Sequence, residues 1–212
     1  MSLDLDLKPL PFEEAVEAFR DTAPISSQEA ARLGREARSR SFFVAGVTRE
    51  DILAGLYESL DKVLAEGKSF GEWKKEAKNL FAAQGWEPGG HRLKTIFLTN
   101  VLSAYSAGRY KQMTDPDVAG DFPYWRYVAV KDRRTRPAHA AMHGRVFPAD
   151  HPVWETWYPP NGFNCRCQVE PLTKRQAERM GVTVETEDPT GGLVEPKMPD
   201  GTVLPARPLM PD

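Results

Sequence analysis

Residues 131–171 read KDRRTRPAHAAMHGRVFPADHPVWETWYPPNGFNCRCQVEP. Three of the chain's four histidines and both of its cysteines fall here, among basic, proline-rich and aromatic runs. A sequence otherwise poor in reactive groups gathers His139, His143, His151, Cys165 and Cys167 where it builds a compact site or pins an element that cannot hold itself together. Strand-forming runs lie inside and beside the block: YWRYVAV over 124–130, RVF over 145–147, and CQVE over 167–170, the last alternating as a half-buried strand does. Three short runs joined by loops predict a small antiparallel sheet, with the histidine and proline loops folded over one end.

Upstream of the block the grammar is helical. Phe12, Val16 and Phe19 share one face between Pro11, a suitable first helical residue, and Pro24. Ser26 with Glu29 has capping-box spacing and opens a helix through Ala30, Leu33 and Ala37 toward Arg40. Thr48 with Asp51 opens the next, in which Ile52, Leu53, Leu56, Tyr57, Leu60, Val63 and Leu64 keep helical spacing until Gly67. Ser69 with Glu72 caps a helix carrying Phe70, Trp73, Ala77, Leu80 and Phe81, ended by Gly85. After the Pro88-Gly89-Gly90 turn comes the longest helix, from about His91 to Met113. Its buried stripe is Leu93, Ile96, Phe97, Val101, Ala104 and Tyr105, with the polar Asn100 at the edge. Ser103, Ala104, Ser106, Ala107 and Gly108 keep it slim enough for another helix to approach.

The fold expected is therefore α+β: an N-terminal helical region over 1–90, then an α+β domain over 91–180 whose small antiparallel sheet packs on the long helix. Residues 174–180 predict a last short helix. Residues 181–212 lack periodicity and predict an extended or disordered tail. The chain stops there without a finishing element, as a truncated chain does, or one whose tail a partner orders.

Composition narrows the function. With 28 basic against 30 acidic residues, the chain lacks the overall positive charge of a protein that coats nucleic acid. No apolar run approaches a bilayer span, and MSLDLDLKPLPFEE lacks the basic-then-apolar pattern of a secretory signal, so the expectation is a cytosolic chain with no membrane partner. Two thiols separated only by Arg166 make a stable disulfide unfavourable in a reducing compartment. The sequence contains no phosphate-binding glycine loop, no His-Glu-x-x-His helix and no nucleophile elbow.

An ordered string of residues resembles a known family. Asp132-x-Arg134-Thr135-x-Pro137-x-His139, then Gly144-x-Val146-Phe147, Trp154, Tyr158-Pro159-Pro160-Asn161-Gly162 and Asn164-Cys165-Arg166-Cys167 are similar to the head-morphogenesis domain of the phage Mu protein F-like minor head proteins. Upstream, Arg92-Leu93-Lys94-Thr95-Ile96-Phe97, Thr99-Asn100 and Ala104-Tyr105-Ser106-Ala107-Gly108-Arg109-Tyr110 resemble the helix preceding that block. The resemblance covers roughly residues 12–172. It implies a non-enzymatic minor capsid protein of a Mu-like phage or prophage, acting in head assembly near the portal, resident in the virion head and in the host cytoplasm during assembly. It also implies a motif made of Asp132, Arg134, Thr135, His139, Gly144, Pro160, Asn164, Cys165, Arg166 and Cys167.

The residues themselves leave several chemistries open. In one, no cofactor is required: the cysteines are small buried hydrophobes, the histidines fasten loops, and Asp132, Arg134, Thr135 and Arg166 form a polar clasp. In another, a structural zinc is held by His139, Cys165, Cys167 and one of His143 or His151. Against it, zinc sites usually space paired cysteines by two or more residues, and on a strand Cys165 and Cys167 would share one face. A third reading is a nuclease or toxin-like effector using His139 and His143 as acid and base beside Arg134, Arg136 and Thr135. A fourth is a zinc-stabilised DNA-binding module. Arg126, Lys131, Arg133 and Arg136, with Tyr124, Trp125 and Tyr127 beside them, are the candidates for sequence-independent DNA contact. Trp73, Trp86 and Phe43 are candidates for docking a portal or other head protein.

Overall fold

A computed structural model describes residues 12–32, 41–162, 165–189, 193–194 and 207–208. It is α+β, and the described residues divide into two compact units, one of residues 12–32 and 41–108, the other from residue 109 onward. The division falls inside the longest helix, whereas the sequence reading placed it at residue 90, where that helix begins.

In the first unit, α1 (Glu13–Arg20), α2 (Ser27–Arg32), α3 (Glu50–Glu66), α4 (Phe70–Ala83) and most of α5 (Gly90–Thr114) follow the apolar spacing. Between α1 and α3 a minimal parallel pair joins β1 (Ala23–Pro24) to β2 (Ser41–Phe42). Capping explains several helix ends. Ser69 and Glu72 exchange both bonds of a capping box, as do Ser26 and Glu29, and Gly67 ends α3 in the left-handed region at φ 68°. Thr48 does not cap α3. The cap position is Arg49, whose guanidinium reaches Asp51 and the Gln84 carbonyl instead. Pro11, Leu33, Ala37 and Arg40 lie outside the described residues.

Leu56, Leu60, Trp73, Phe81 and Leu93 are fully buried at the centre of this unit, with Phe19, Phe42 and Tyr57 meeting ring to ring at 4.8–5.6 Å. Trp73 is thus core rather than docking surface, its indole donating to Ser59 at 3.1 Å. Trp86 and Phe43 are half-buried. Tyr105 departs from the expected stripe: it is 41% exposed, though its ring lies 5.7 Å from that of Phe12. Ala104 just before it still faces inward, and the 100° advance to the next residue carries Tyr105 toward solvent. Asn100 bonds back to the Ile96 carbonyl at 2.8 Å and stays within its own helix. The slim segment does what its small residues allow. A Cβ at Gly108 would stand 2.5 Å from the Ala15 backbone nitrogen, so α1 and α5 approach there only because Gly108 has no side chain.

The second unit begins with the last turns of α5, whose Tyr110 ring lies 5.9 Å from Trp125 and whose Met113 joins the same core. After α6 (Pro116–Ala119) the sheet follows: β3 (Tyr124–Val128) runs between β4 (Val146–Pro148) and β5 (Gln168–Leu172), antiparallel to both. Trp125 pairs with Phe147 on one side and Pro171 on the other. An isolated bridge joins Val146 to Val184 on the far side of β4. Two helices inside the block were not foreseen, α7 (Pro137–Met142) and α8 (Val153–Trp157). The expected last helix, α9 (Lys174–Met180), is opened by a capping box of Thr173 with Gln176 that was not foreseen, and Gly181 closes it at φ 61°. Of the tail, residues 181–189 are described, and β6 (Leu193–Val194) pairs with β7 (Arg207–Pro208). Among the described residues, no helix is long and apolar enough to cross a membrane.

Candidate functional site

Two polar groupings form within the block. The first centres on Asp132, whose carboxylate accepts both Arg166 nitrogens at 2.7 Å, a planar fork meeting a planar acceptor. The Arg134 backbone N–H donates to the same carboxylate at 2.9 Å, and the Thr135 N–H donates to the Asp132 carbonyl at 3.0 Å. The Thr135 hydroxyl donates to the Val130 carbonyl and lies 3.3 Å from Asp132 Oδ1. Residues 130–135 are thereby closed into a knot that Arg166 ties to the segment before β5. Arg166 above all, then the Arg134 N–H, holds the Asp132 carboxyl well below the usual carboxylate range.

The second grouping is His139, Cys165 and Cys167. Pro137 starts α7, which presents His139 inward with only 3% of its surface exposed. Its Nδ1 lies 3.3 Å from the Cys167 sulfur and 3.6 Å from that of Cys165. Arg136 Nη1 faces Nε2 at 3.1 Å and donates to the Asn161 carbonyl at 2.6 Å. A guanidinium can only donate, so Nε2 accepts and the ring proton sits on Nδ1, pointing at the sulfurs. The hydrogen bond from Cys167, then His139, pulls the Cys165 thiol below its ordinary range, while the Cys165 bond and burial push Cys167 up. Trp157 meets the His139 ring edge-on at 6.0 Å, and Tyr127 meets Trp157 at the same distance. The Tyr127 hydroxyl is fully buried against Cys167 and makes no hydrogen bond of ordinary geometry; burial pushes its pKa up.

The two cysteines precede β5 rather than riding on it, so the strand-face objection to their convergence does not apply. The alternation of 167–170 had begun the strand one residue too early. His143 and His151 stand apart from the cluster: His143 Nδ1 accepts the Ala129 N–H at 3.1 Å, and His151 accepts from Val153 and contacts the Thr186 carbonyl. Each fastens a loop, and neither completes a four-residue metal set among the described residues. Gly144 turns the chain at φ 87°, its N–H donating to the Tyr127 carbonyl. Pro160 follows a cis peptide bond beside Asn161. Asn164 lies outside the described residues.

The candidates for DNA contact separate into two kinds. Arg126 is spent on Glu170, its Nε donating at 2.9 Å, and Arg136 is turned onto His139 and Asn161. Lys131 and Arg133 are exposed. Trp125 and Tyr127 are core residues, not a stacking platform. Sequence reasoning missed the parts played by Arg136, Asn161 and Tyr127. The Pro-Asn-Gly turn at 160–162 was the available signal for Asn161, whose side chain donates to the Trp157 carbonyl at 2.9 Å.

Residues 55–170, which contain both groupings, match the family described as Phage Mu protein F like protein. The chain belongs to this family. Among its curated relatives, the Mu-like prophage FluMu F protein of Haemophilus influenzae is 37% identical over 166 residues, covering 72% of this chain and 39% of the relative. The putative capsid assembly protein F of Escherichia phage Mu is 37% identical over 192 residues, covering 82% of this chain and 43% of that one. An uncharacterized protein of Methanocaldococcus jannaschii is 30% identical over 124 residues, 58% of this chain and 17% of its own length. The chain thus spans about two fifths of the length of either F protein it matches. No solved structure matches.

Proposed function

We propose that this member of the F-like family is a minor head protein of a Mu-like phage or prophage, acting in capsid assembly beside the portal. The observation that carries the reading is its similarity, over most of its length, to the protein named putative capsid assembly protein F of phage Mu. The geometry of the block suits an architectural use. Its carboxylate and imidazoles face protein groups: Asp132 faces Arg166, His139 faces Arg136 and the two sulfurs, and His143 and His151 face backbone. A nuclease acting through His139 would need an imidazole within hydrogen-bond reach of a phosphate. Here both ring nitrogens face protein groups in a buried setting, which weighs against that alternative.

On this reading the chain resides in the virion head, and in the host cytoplasm while heads are built, with portal or other head proteins as partners. Any DNA contact falls to exposed cations such as Lys131 and Arg133 and is independent of sequence. Deletion of the gene from an inducible prophage tests the proposal. The expected result is a severalfold fall in infectious particles with incomplete or empty heads by electron microscopy, and co-purification of a tagged copy with the portal. Normal heads after deletion would overturn it, as would hydrolysis of RNA or DNA by the purified chain that His139→Ala abolishes.

A further inference from the structure

We propose that His139, Cys165 and Cys167 form a zinc site, with His139 Nδ1 and the two Sγ atoms as three ligands and a water as the fourth. The three atoms lie within 4.8 Å of one another, drawn from one helix and from a segment 26 residues or more away in the chain. Zinc binds sulfur at about 2.3 Å and nitrogen at about 2.0–2.1 Å, so tetrahedral N and S ligands stand about 3.5 Å apart. The observed N–S separations, 3.3 and 3.6 Å, bracket that edge. Because the cysteines precede the strand, both sulfurs can turn toward one point despite the single intervening residue.

An independent feature points the same way. The Tyr127 hydroxyl is fully buried, lies against the Cys167 sulfur and the Asn161 side chain, and makes no hydrogen bond of ordinary geometry to either. Buried hydroxyls are rarely left so, and a metal-bound water at the fourth corner supplies the missing partner. Backbone N–H groups of Cys167 and Asn161 are directed at the Cys165 sulfur, the kind of outer support that orients a metal thiolate. Two thiolates and a neutral imidazole also match the charge and softness that zinc prefers.

One group opposes the metal. Ligation through Nδ1 moves the ring proton to Nε2, where it meets the Arg136 nitrogen, donor against donor. Arg136 must then withdraw toward the Asn161 carbonyl it already holds. It follows that Arg136→Gln, whose amide oxygen can accept from Nε2–H, binds zinc more tightly than the parent, by about tenfold.

The test is metal analysis of the full chain, purified under reducing conditions without chelator. About one zinc per chain is expected, with cobalt substitution giving the visible bands of a tetrahedral thiolate site. Zinc should protect both thiols from a disulfide reagent, and Cys167→Ser and His139→Gln should each lower affinity at least a hundredfold. Should these variants fail to fold, the parent chain still decides the matter. A folded, reduced parent that takes up neither zinc nor cobalt, or whose thiols react equally fast with and without zinc, would overturn the proposal. So would isolation with the two thiols bridged and no zinc uptake after reduction. None of these outcomes depends on whether the chain acts in head assembly.

Discussion

Asp132 shows how one residue can carry a loop. Its carboxylate binds Arg166 through two bonds and caps the turn at Arg134, so protonation would leave the guanidinium without its acceptor. Because the carboxyl titrates lower in the folded chain than its ordinary 3.8, its contribution to stability is complete above that value and is lost as pH falls through the lowered one. Thermal melts of Asp132→Asn should therefore lie below the parent at neutral pH and converge with it in strong acid; a gap that stays constant with pH would contradict this. Arg166→Lys should behave similarly at neutral pH, since an ammonium cannot make the fork. Tyr127→Phe separates two states of the neighbouring cluster. In the metal-free chain, removal of an unsatisfied buried hydroxyl should be neutral or stabilising by about 1 kcal/mol, whereas in the zinc-loaded chain it should destabilise.

At the scale of elements, backbone approach and caps decide more than composition. Gly108→Ala would ordinarily favour a helix by about 1 kcal/mol. Here the added methyl meets α1 backbone at 2.5 Å, and separation of the two helices should cost about 1–3 kcal/mol, measurable by urea unfolding. Ser69→Ala and Thr173→Ala should each cost about 1 kcal/mol by removing a capping box. The long helices were legible in the sequence because 3.6-residue spacing repeats over many turns, and two caps because Ser-x-x-Glu advertises its bonds; the spacing of Thr48 with Asp51 misled, and the Thr173–Gln176 box went unread. The helices α7 and α8 were not legible, since six and five residues give periodicity too little length to declare itself. The site was half legible. His139, Cys165 and Cys167 stood out as chemistry, yet their convergence depends on α7 turning His139 inward and on the cysteines lying off the strand, neither of which local spacing encodes. Arg126 and Arg136 looked free because their partners, Glu170 and Asn161, are 44 and 25 residues away.

Across the molecule, two cores of different character coexist. The first is built from Leu56, Leu60, Trp73, Phe81 and Leu93; the second from Trp125, Tyr127, Phe147, Trp157 and neighbouring aliphatic residues. Phe81→Ala should cost about 3–5 kcal/mol, and hydrogen exchange read by mass spectrometry should show the loss of protection centred on α3, α4 and the start of α5. The sheet's borders have an outcome of their own. Its central strand is flanked on both sides, β4 ends in Pro148 and is bridged beyond by Val184, and β5 carries Pro171. A strand that lacks an amide proton is a poor template for another chain. Such blunted margins keep the sheets of neighbouring copies from zipping edge to edge where the chain is crowded.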